Sequence, residues 1–271
     1  MKEHDKSYVK LLKVRRRKNL KRKFLLVLKV ILIIISFVGL VWFFNFFYNS
    51  QYFKIKIITI EGNEKYSQTE IRQKAEIAIG MNIFEINKKL IEDKLLNELI
   101  WLKSVDLKKI FPDKILITVI ERKPFVKVVY GGNYFIIDDE AVVLDFIKDN
   151  IISENTNNLN LYNELLTVKN AVKYNPEIGE KIAKKGLIAC GIIYDSLNTE
   201  IKKIIKEAYI SDDANENIIF LTINEKQIIF GTSDNLEEKN KILNLALQKI
   251  NLDGISFRVI DLRDINNPLI R

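Results

Sequence analysis

Catalysis by histidine or cysteine, and metal binding through either, has almost no material in this chain of 271 residues, which holds one His and one Cys. His4 lies in a basic N-terminal run. Cys190 sits among Leu187, Ile188, Ile192 and Ile193 with no activating base nearby, the setting of a buried and inert thiol. A single cysteine also forbids an intrachain disulfide or a cysteine zinc cluster. Carboxylates are the remaining chemistry. Asp138-Asp139-Glu140 suggests a cation site, but Asp at a bend bonds its own backbone, and a solvated turn is expected instead. The bend Asp212-Asp213-Ala214-Asn215-Glu216-Asn217 alternates oxygen ligands, yet it lacks the glycine and the distal Glu of an EF-hand loop, so calcium is rejected. Acid pairs spaced for glycan hydrolysis arise by accident among 35 Asp and Glu. There is no Gly-rich phosphate loop and no G-x-S-x-G elbow, and Ser7-Tyr8-Val9-Lys10, the one Ser-x-x-Lys match considered, lies in the basic tail. The chain reads as a non-enzyme, with no catalytic, cofactor-binding or metal-binding residues.

The formal charge of +8 invites a nucleic-acid reading until it is located. Residues 1–23 hold eleven Lys and Arg against Glu3 and Asp5, leaving 32 of the 43 bases and 33 of the 35 acids for the other 248 residues. The basicity belongs to a tail, so no nucleic-acid partner is expected for the folded body. Hydrophobic residues make up 48%, too many for a disordered chain.

A membrane segment comes directly after the tail. Residues 24–48 read FLLVLKVILIIISFVGLVWFFNFFY, and Val30 to Phe53 are 24 uncharged residues in succession, against about 20 needed to cross a bilayer. Lys29 can snorkel to the headgroups, and Trp42 and Tyr48 suit an interfacial belt at the far end. A cleaved signal peptide would have a shorter apolar region ending in small residues; an uncleaved anchor is expected. Arg15-Arg16-Arg17-Lys18 and Lys21-Arg22-Lys23 precede the helix and neutral Asn49–Phe53 follows it, which predicts a cytoplasmic N-terminus and an exported body. The tail is expected to set topology and touch anionic lipid, with nucleic-acid or protein binding as the alternative reading.

The exported part begins strand, helix, helix, strand, strand. Ile55–Glu61 is a β-branched run ending at the turn pair Gly62-Asn63. Ser67-x-x-Glu70 is a capping box, and Ile71, Ala75, Ala78 and Ile79 then recur at helical spacing up to Gly80. Asn87 caps a second helix with Ile91, Leu95 and Leu99 on one face. Val105 and Leu107 alternate with Asp106 and Lys108, Phe111-Pro112-Asp113 turns, and Ile115–Ile120 returns. Gly62 is expected to need positive φ, Pro112 to fix a hairpin, and Trp101 to fill the sheet–helix core. This unit, with Ile60-Glu61-Gly62-Asn63, Gly80-Met81-Asn82-Ile83-Phe84, Ile100-Trp101-Leu102-Lys103-Ser104-Val105, Phe111-Pro112-Asp113 and Glu121-Arg122-Lys123-Pro124 in order, resembles the POTRA domain of the bacterial FtsQ/DivIB family.

From Phe125 the chain turns β-rich. Phe125–Tyr130, Gly131-Gly132 and Asn133–Asp138 form a hairpin leading into Ala141–Leu144, and a polar loop with Asn155, Asn157, Asn158 and Asn160 follows. Glu177 to Leu197 reads as helical, interrupted by Gly186 and Gly191. Ala208–Ser211, Ile218–Ile223, Gln227–Phe230 and Phe257–Leu262 read as strands, with an amphipathic helix over Leu236–Ile250 carrying Ile242, Leu243, Ala246, Leu247 and Ile250 inward. Asn133–Asp138 with Val142-Val143-Leu144, Ile229-Phe230-Gly231 with Glu238-Lys239, and Val259–Arg263 with Pro268 are similar to the β domain of the same family; Asp264 stands where proteobacterial relatives carry a Tyr. The fold class expected is α+β, divided as a tail (1–23), a membrane helix (24–48), a POTRA domain (49–123) and a β domain (124–271).

The resemblance implies a divisome subunit that binds two small bitopic partners of the FtsL and FtsB/DivIC types, meets other division proteins through the POTRA domain, and helps control septal peptidoglycan synthesis. Strand addition at the C-terminal edge is the expected mode, with Arg263, Asp264, Ile265, Pro268, Leu269 and Ile270 as partner-binding residues. Arg263 either meets a partner carboxylate or a neighbouring acid of its own chain. Envelope transport and wall binding are the alternative readings; POTRA modules in transport generally precede a β-barrel, whereas these strands are short and mixed with helices.

Overall fold

A computed structural model describes residues 3–148, 162–254 and 256–271; the Asn-rich loop expected at 155–160 lies outside them. Helix α1 (Glu3–Tyr48) contains Lys23–Phe46, a segment long and apolar enough to cross a membrane, within which an 18-residue stretch reaches a mean hydropathy of 3.0 and has no part buried in the protein. The chain divides into two compact units. One comprises Met1–Glu61, Gln68–Asp93 and Asp106–Thr118, the other Gly62–Ser67, Lys94–Val105 and Val119–Arg271.

Strand β1 (Ile57–Glu61), helices α2 (Gln68–Ala75) and α3 (Lys88–Glu98), and strands β2 (Leu102–Ile110) and β3 (Lys114–Glu121) give the expected βααββ order. The sheet runs β1-β3-β2, with β1 parallel to β3. Asn87 caps α3, its side-chain oxygen accepting from the Leu90 amide at 3.3 Å, and Ile91, Leu95 and Leu99 are buried along one face as their spacing requires. Gly62 has φ +85°, and the carbonyl of Val119 occupies the space a Cβ would need, so only glycine fits. The Phe111–Pro112 peptide in the β2–β3 turn is cis.

Helix α2 is shorter than its apolar spacing predicts. It stops at Ala75 because Glu76 turns left-handed (φ +53°), and Ile79 is exposed in the turn that follows. Gly80 is therefore no helix stop. Its amide donates to Ile55 O at 2.8 Å, which ties this turn to the segment leading out of α1. Trp101 also departs from expectation. It is half-buried, packs against Ile136, Leu144 and Tyr162 rather than filling a sheet–helix core, and carries the Lys65 ammonium 4.3 Å above its ring.

Among the described residues the larger sheet has nine strands, in the order β12-β11-β10-β9-β8-β7-β4-β5-β6. They are β4 (Pro124–Tyr130), β5 (Asn133–Asp138), β6 (Val143–Lys148), β7 (Leu166–Lys169), β8 (Ile205–Ile210), β9 (Ile218–Thr222), β10 (Gln227–Gly231), β11 (Val259–Asp261) and β12 (Leu269–Ile270). Most neighbours are antiparallel, but β7 is parallel to both β4 and β8, and β11 is parallel to β10. Helices α4 (Lys185–Ser196), α5 (Thr199–Ile204) and α6 (Leu236–Asp253) complete the fold. Leu187, Cys190 and Ile193 of α4 and Leu243 and Ile250 of α6 share one core with Val128, Val168, Ala208, Phe220 and Phe230 of the sheet. Phe220 and Phe230 meet edge to face at 6.2 Å, worth about 0.5–1.5 kcal/mol beyond the area they bury.

Two glycines read as helix interruptions are not. The helix begins only at Lys185, so Gly186 lies in its first turn, with its amide donating to a Glu216 carboxylate oxygen at 2.6 Å. Gly191 lies within α4, where the ring of Phe125 occupies the place of a Cβ. Residues 177–184 are irregular, and β7 and α5 are elements that periodicity does not reveal.

Candidate partner interface

The C-terminal strand β12 forms one outer edge of the nine-stranded sheet. It lies antiparallel to β11, with Ile270 opposite Ile260 and Leu269 opposite Asp261. Arg271 and Val259 exchange both backbone hydrogen bonds, at 2.9 and 3.0 Å. In an antiparallel ladder such a pair alternates with one whose groups point away from each other. Ile260 and Ile270 are that next pair, so the N–H and C=O of Ile270 point out from the edge. Consistently, the residues two before and two after Ile260 bond towards β10: Gln227 N donates to Arg258 O at 3.0 Å, and Leu262 N to Ile229 O at 2.8 Å. Pro268 has no N–H to give. Ile270 is thus the edge's outward donor, with the exposed side chains of Leu269 and Ile270 beside it. Such a short edge limits indiscriminate pairing.

The other expected binding residues form the turn into this strand. Asp264 Oδ1 accepts from the Asn266 amide at 3.0 Å, an Asx turn that reverses the chain. Ile265 is half-buried, while Asp264 and Pro268 are exposed. Arg263 already has an acid of its own chain: its Nε lies 3.0 Å from Asp261 Oδ1 and its Nη2 2.6 Å from Oδ2. This bidentate pair holds the Asp261 carboxyl below the usual carboxylate range. Arg263 remains half-exposed, so the pair presents a charged rim next to the apolar edge.

The triple-acid turn is also built from side chains, with bases of the same compact unit as partners. Asp138 Oδ1 accepts from the amides of Glu140 (3.0 Å) and Val142 (2.7 Å), which is the backbone bonding expected of an Asp at a bend. Its other oxygen, and Glu140, bind Arg122 Nη1 at 2.6 and 2.8 Å, while Lys103 Nζ lies 2.8 Å from both oxygens of Asp139. The Arg122 contact lowers the Glu140 carboxyl below its ordinary range. Each carboxylate is committed to a base or an amide. Reading this turn as solvated misses Arg122 and Lys103, which lie 16 and 36 residues away in sequence.

Comparison with known proteins decides what this architecture is. The FtsQ-type POTRA domain family matches residues 53–122. The cell division protein DivIB of Clostridium tetani is 26% identical over 82% of this chain and 81% of its own length, and DivIB of Clostridium acetobutylicum is 27% identical over 80% and 82%. The chain is thus similar to the DivIB cell division proteins over about four fifths of its length. A more distant relative, the cell division protein FtsQ of Streptomyces coelicolor, is 25% identical over 48% of each chain.

That similarity agrees with the α+β architecture and, among the described residues, with one apolar helix ahead of the POTRA region. Members of this family are generally non-catalytic. Cys190 accords with that: it is fully buried, and burial pushes its thiol pKa up, away from the thiolate that nucleophilic chemistry needs.

Proposed function

We propose that this FtsQ/DivIB protein is a non-catalytic, single-pass division subunit. Its β domain captures small bitopic partners of the FtsL and FtsB/DivIC types, and through them it influences septal peptidoglycan synthesis. In this reading residues 24–48 span the cell membrane with the basic tail inside, residues 49–123 form a POTRA domain open to other division proteins, and residues 124–271 form the partner-binding domain.

The observation that carries the reading is the outward-facing backbone of Ile270 on a terminal sheet strand. A partner strand laid along it gains main-chain hydrogen bonds, while Leu269 and Ile270 supply apolar contact and the Arg263–Asp261 rim supplies polar complementarity. The near-neutral body makes bulk charge a poor source of specificity, which leaves edge geometry to provide it.

Two measurements test this. A fluorescent fusion should concentrate at midcell in dividing cells; a uniform envelope signal would count against a division role. Truncation after Leu262 removes β12 and should abolish capture of the bitopic partners, and undiminished capture would end the edge-strand mechanism. Co-sedimentation with purified peptidoglycan distinguishes wall binding, which this reading does not require.

A further inference from the structure

The segment that leaves α1 is clamped rather than free. The Asn82 side-chain amide donates to the Tyr48 carbonyl, Tyr48 Oη donates to Glu85 at 3.3 Å, Ile83 N donates to Phe53 O at 3.0 Å, and Lys56 N to Asp113 O at 2.8 Å. These contacts gather a chain of rings. Tyr48 stacks on Phe84 at 6.2 Å, Phe84 meets Phe53 at 5.1 Å and Phe111 at 5.5 Å, and Tyr52 meets Phe53 at 5.1 Å. Only Phe53 of the five is buried. Tyr52 is 61% exposed and Phe111 56%, beside an exposed Ile110.

Contiguous exposed aromatics call for an apolar or interfacial neighbour. Their position says which one. Tyr48 lies two residues past Phe46, the end of the apolar span, a rise of about 3 Å. The headgroup layer beyond the hydrocarbon is about 5–7 Å deep on each side. The patch therefore starts inside that layer, where Tyr and other aromatic side chains are favoured. Lys54 and Lys109, next to Phe53 and Ile110 in sequence, add cations suited to lipid phosphates.

We propose that Tyr48, Tyr52, Phe84 and Phe111 form a lipid-facing shelf, so that the first exported unit rests in the headgroup layer of the bilayer its helix crosses. This rests on the membrane-spanning reading of α1. The shelf adds a second contact with lipid that restricts rotation and tilt of the unit about the helix end.

Nitroxide labels on the full-length chain, one copy per anionic lipid nanodisc, test it. Cys190 is buried and stays silent, so single cysteines can be introduced as Y52C, F111C, I34C and L252C. Ile34 is mid-span and Leu252 is 85% exposed. The expected result is oxygen-rich, nickel-poor accessibility at 34, intermediate values at 52 and 111, and fully aqueous values at 252. If 34 is lipid-like while 52 or 111 matches 252, the shelf is wrong and the span survives. If 34 itself matches 252, the membrane reading fails and the shelf with it. Shielding of 111 from both relaxation agents would show that protein covers the patch, which also overturns the proposal.

Discussion

Arg122 Nη1 lies 2.6 Å from the carboxylate of Asp138, whose side chain has no exposed surface, and Arg122 itself is largely covered. Burial pulls the Arg122 pKa down, and the Asp138 and Glu140 carboxylates more than offset this, leaving it raised. Two backbone amides complete the shell around Asp138, so the turn between β5 and β6 is organised by one buried ion pair.

Removing one partner of that pair should be costly because the other is left uncompensated. Arg122→Ala is expected to destabilise the protein by about 3–5 kcal/mol. Urea unfolding of detergent-solubilised full-length protein measures it. A loss below about 1 kcal/mol, the range of an exposed pair, would refute the organising role.

Gly191→Ala sets two effects against each other. Alanine gains about 1 kcal/mol of helix propensity within α4, but its methyl collides with the Phe125 ring, and overpacking costs about 1–3 kcal/mol. The clash is expected to win, giving a lower unfolding midpoint. Pairing it with Phe125→Leu should recover part of the loss.

Glu207 Oε2 lies 2.7 Å from Lys169 Nζ, and Glu207 Oε1 accepts from Tyr209 Oη at 2.7 Å. Burial raises this carboxyl, but Lys169 and Tyr209 outweigh burial and hold it below the usual glutamate range. A lowered folded pKa stabilises fully above the unfolded value and is lost as pH falls through the folded one. Glu207→Gln should therefore cost stability at neutral pH and flatten the acid limb below about pH 4.3, as read from unfolding midpoints across pH. An unchanged acid limb would show that this triad does not contribute there.

Ile270→Pro removes the outward N–H of β12 while leaving the chain at full length. Partner affinity should fall by about two- to tenfold, the worth of about one hydrogen bond. Thermal stability should barely change, because a proline is tolerated on an edge strand. Unaltered binding with an intact β12 would move the interface elsewhere.

Much of this fold is legible in the sequence because its elements carry long periodic signals. The apolar span, the Ile91–Leu95–Leu99 face and the β4–β5 hairpin around Gly131-Gly132 all read directly from spacing. Other features depend on partners distant in sequence. Strand β7 has four residues, Leu166 and Val168 buried, too few to show a period. Trp101 reads as part of a sheet–helix core because its actual partners, Ile136, Leu144 and Tyr162, are far along the chain. Gly191 reads as a helix break because its need for glycine comes from Phe125, not from its own dihedral angles. The edge at Leu269–Ile270 is two residues long, so only family resemblance points to it, and its outward backbone becomes visible through the Val259–Arg271 exchange.

The place of β7 bears on how the sheet assembles. Strands β4 to β6 and β8 to β10 are each consecutive and antiparallel, so each trio can zip locally as it emerges. Among the described strands, β7 lies between the two trios and joins them, parallel to both β4 and β8. Until residues 166–169 dock, β4 and β8 both expose open strand sides, the surfaces on which nascent chains mispair. A substitution that loosens β7 would therefore separate the sheet into two halves.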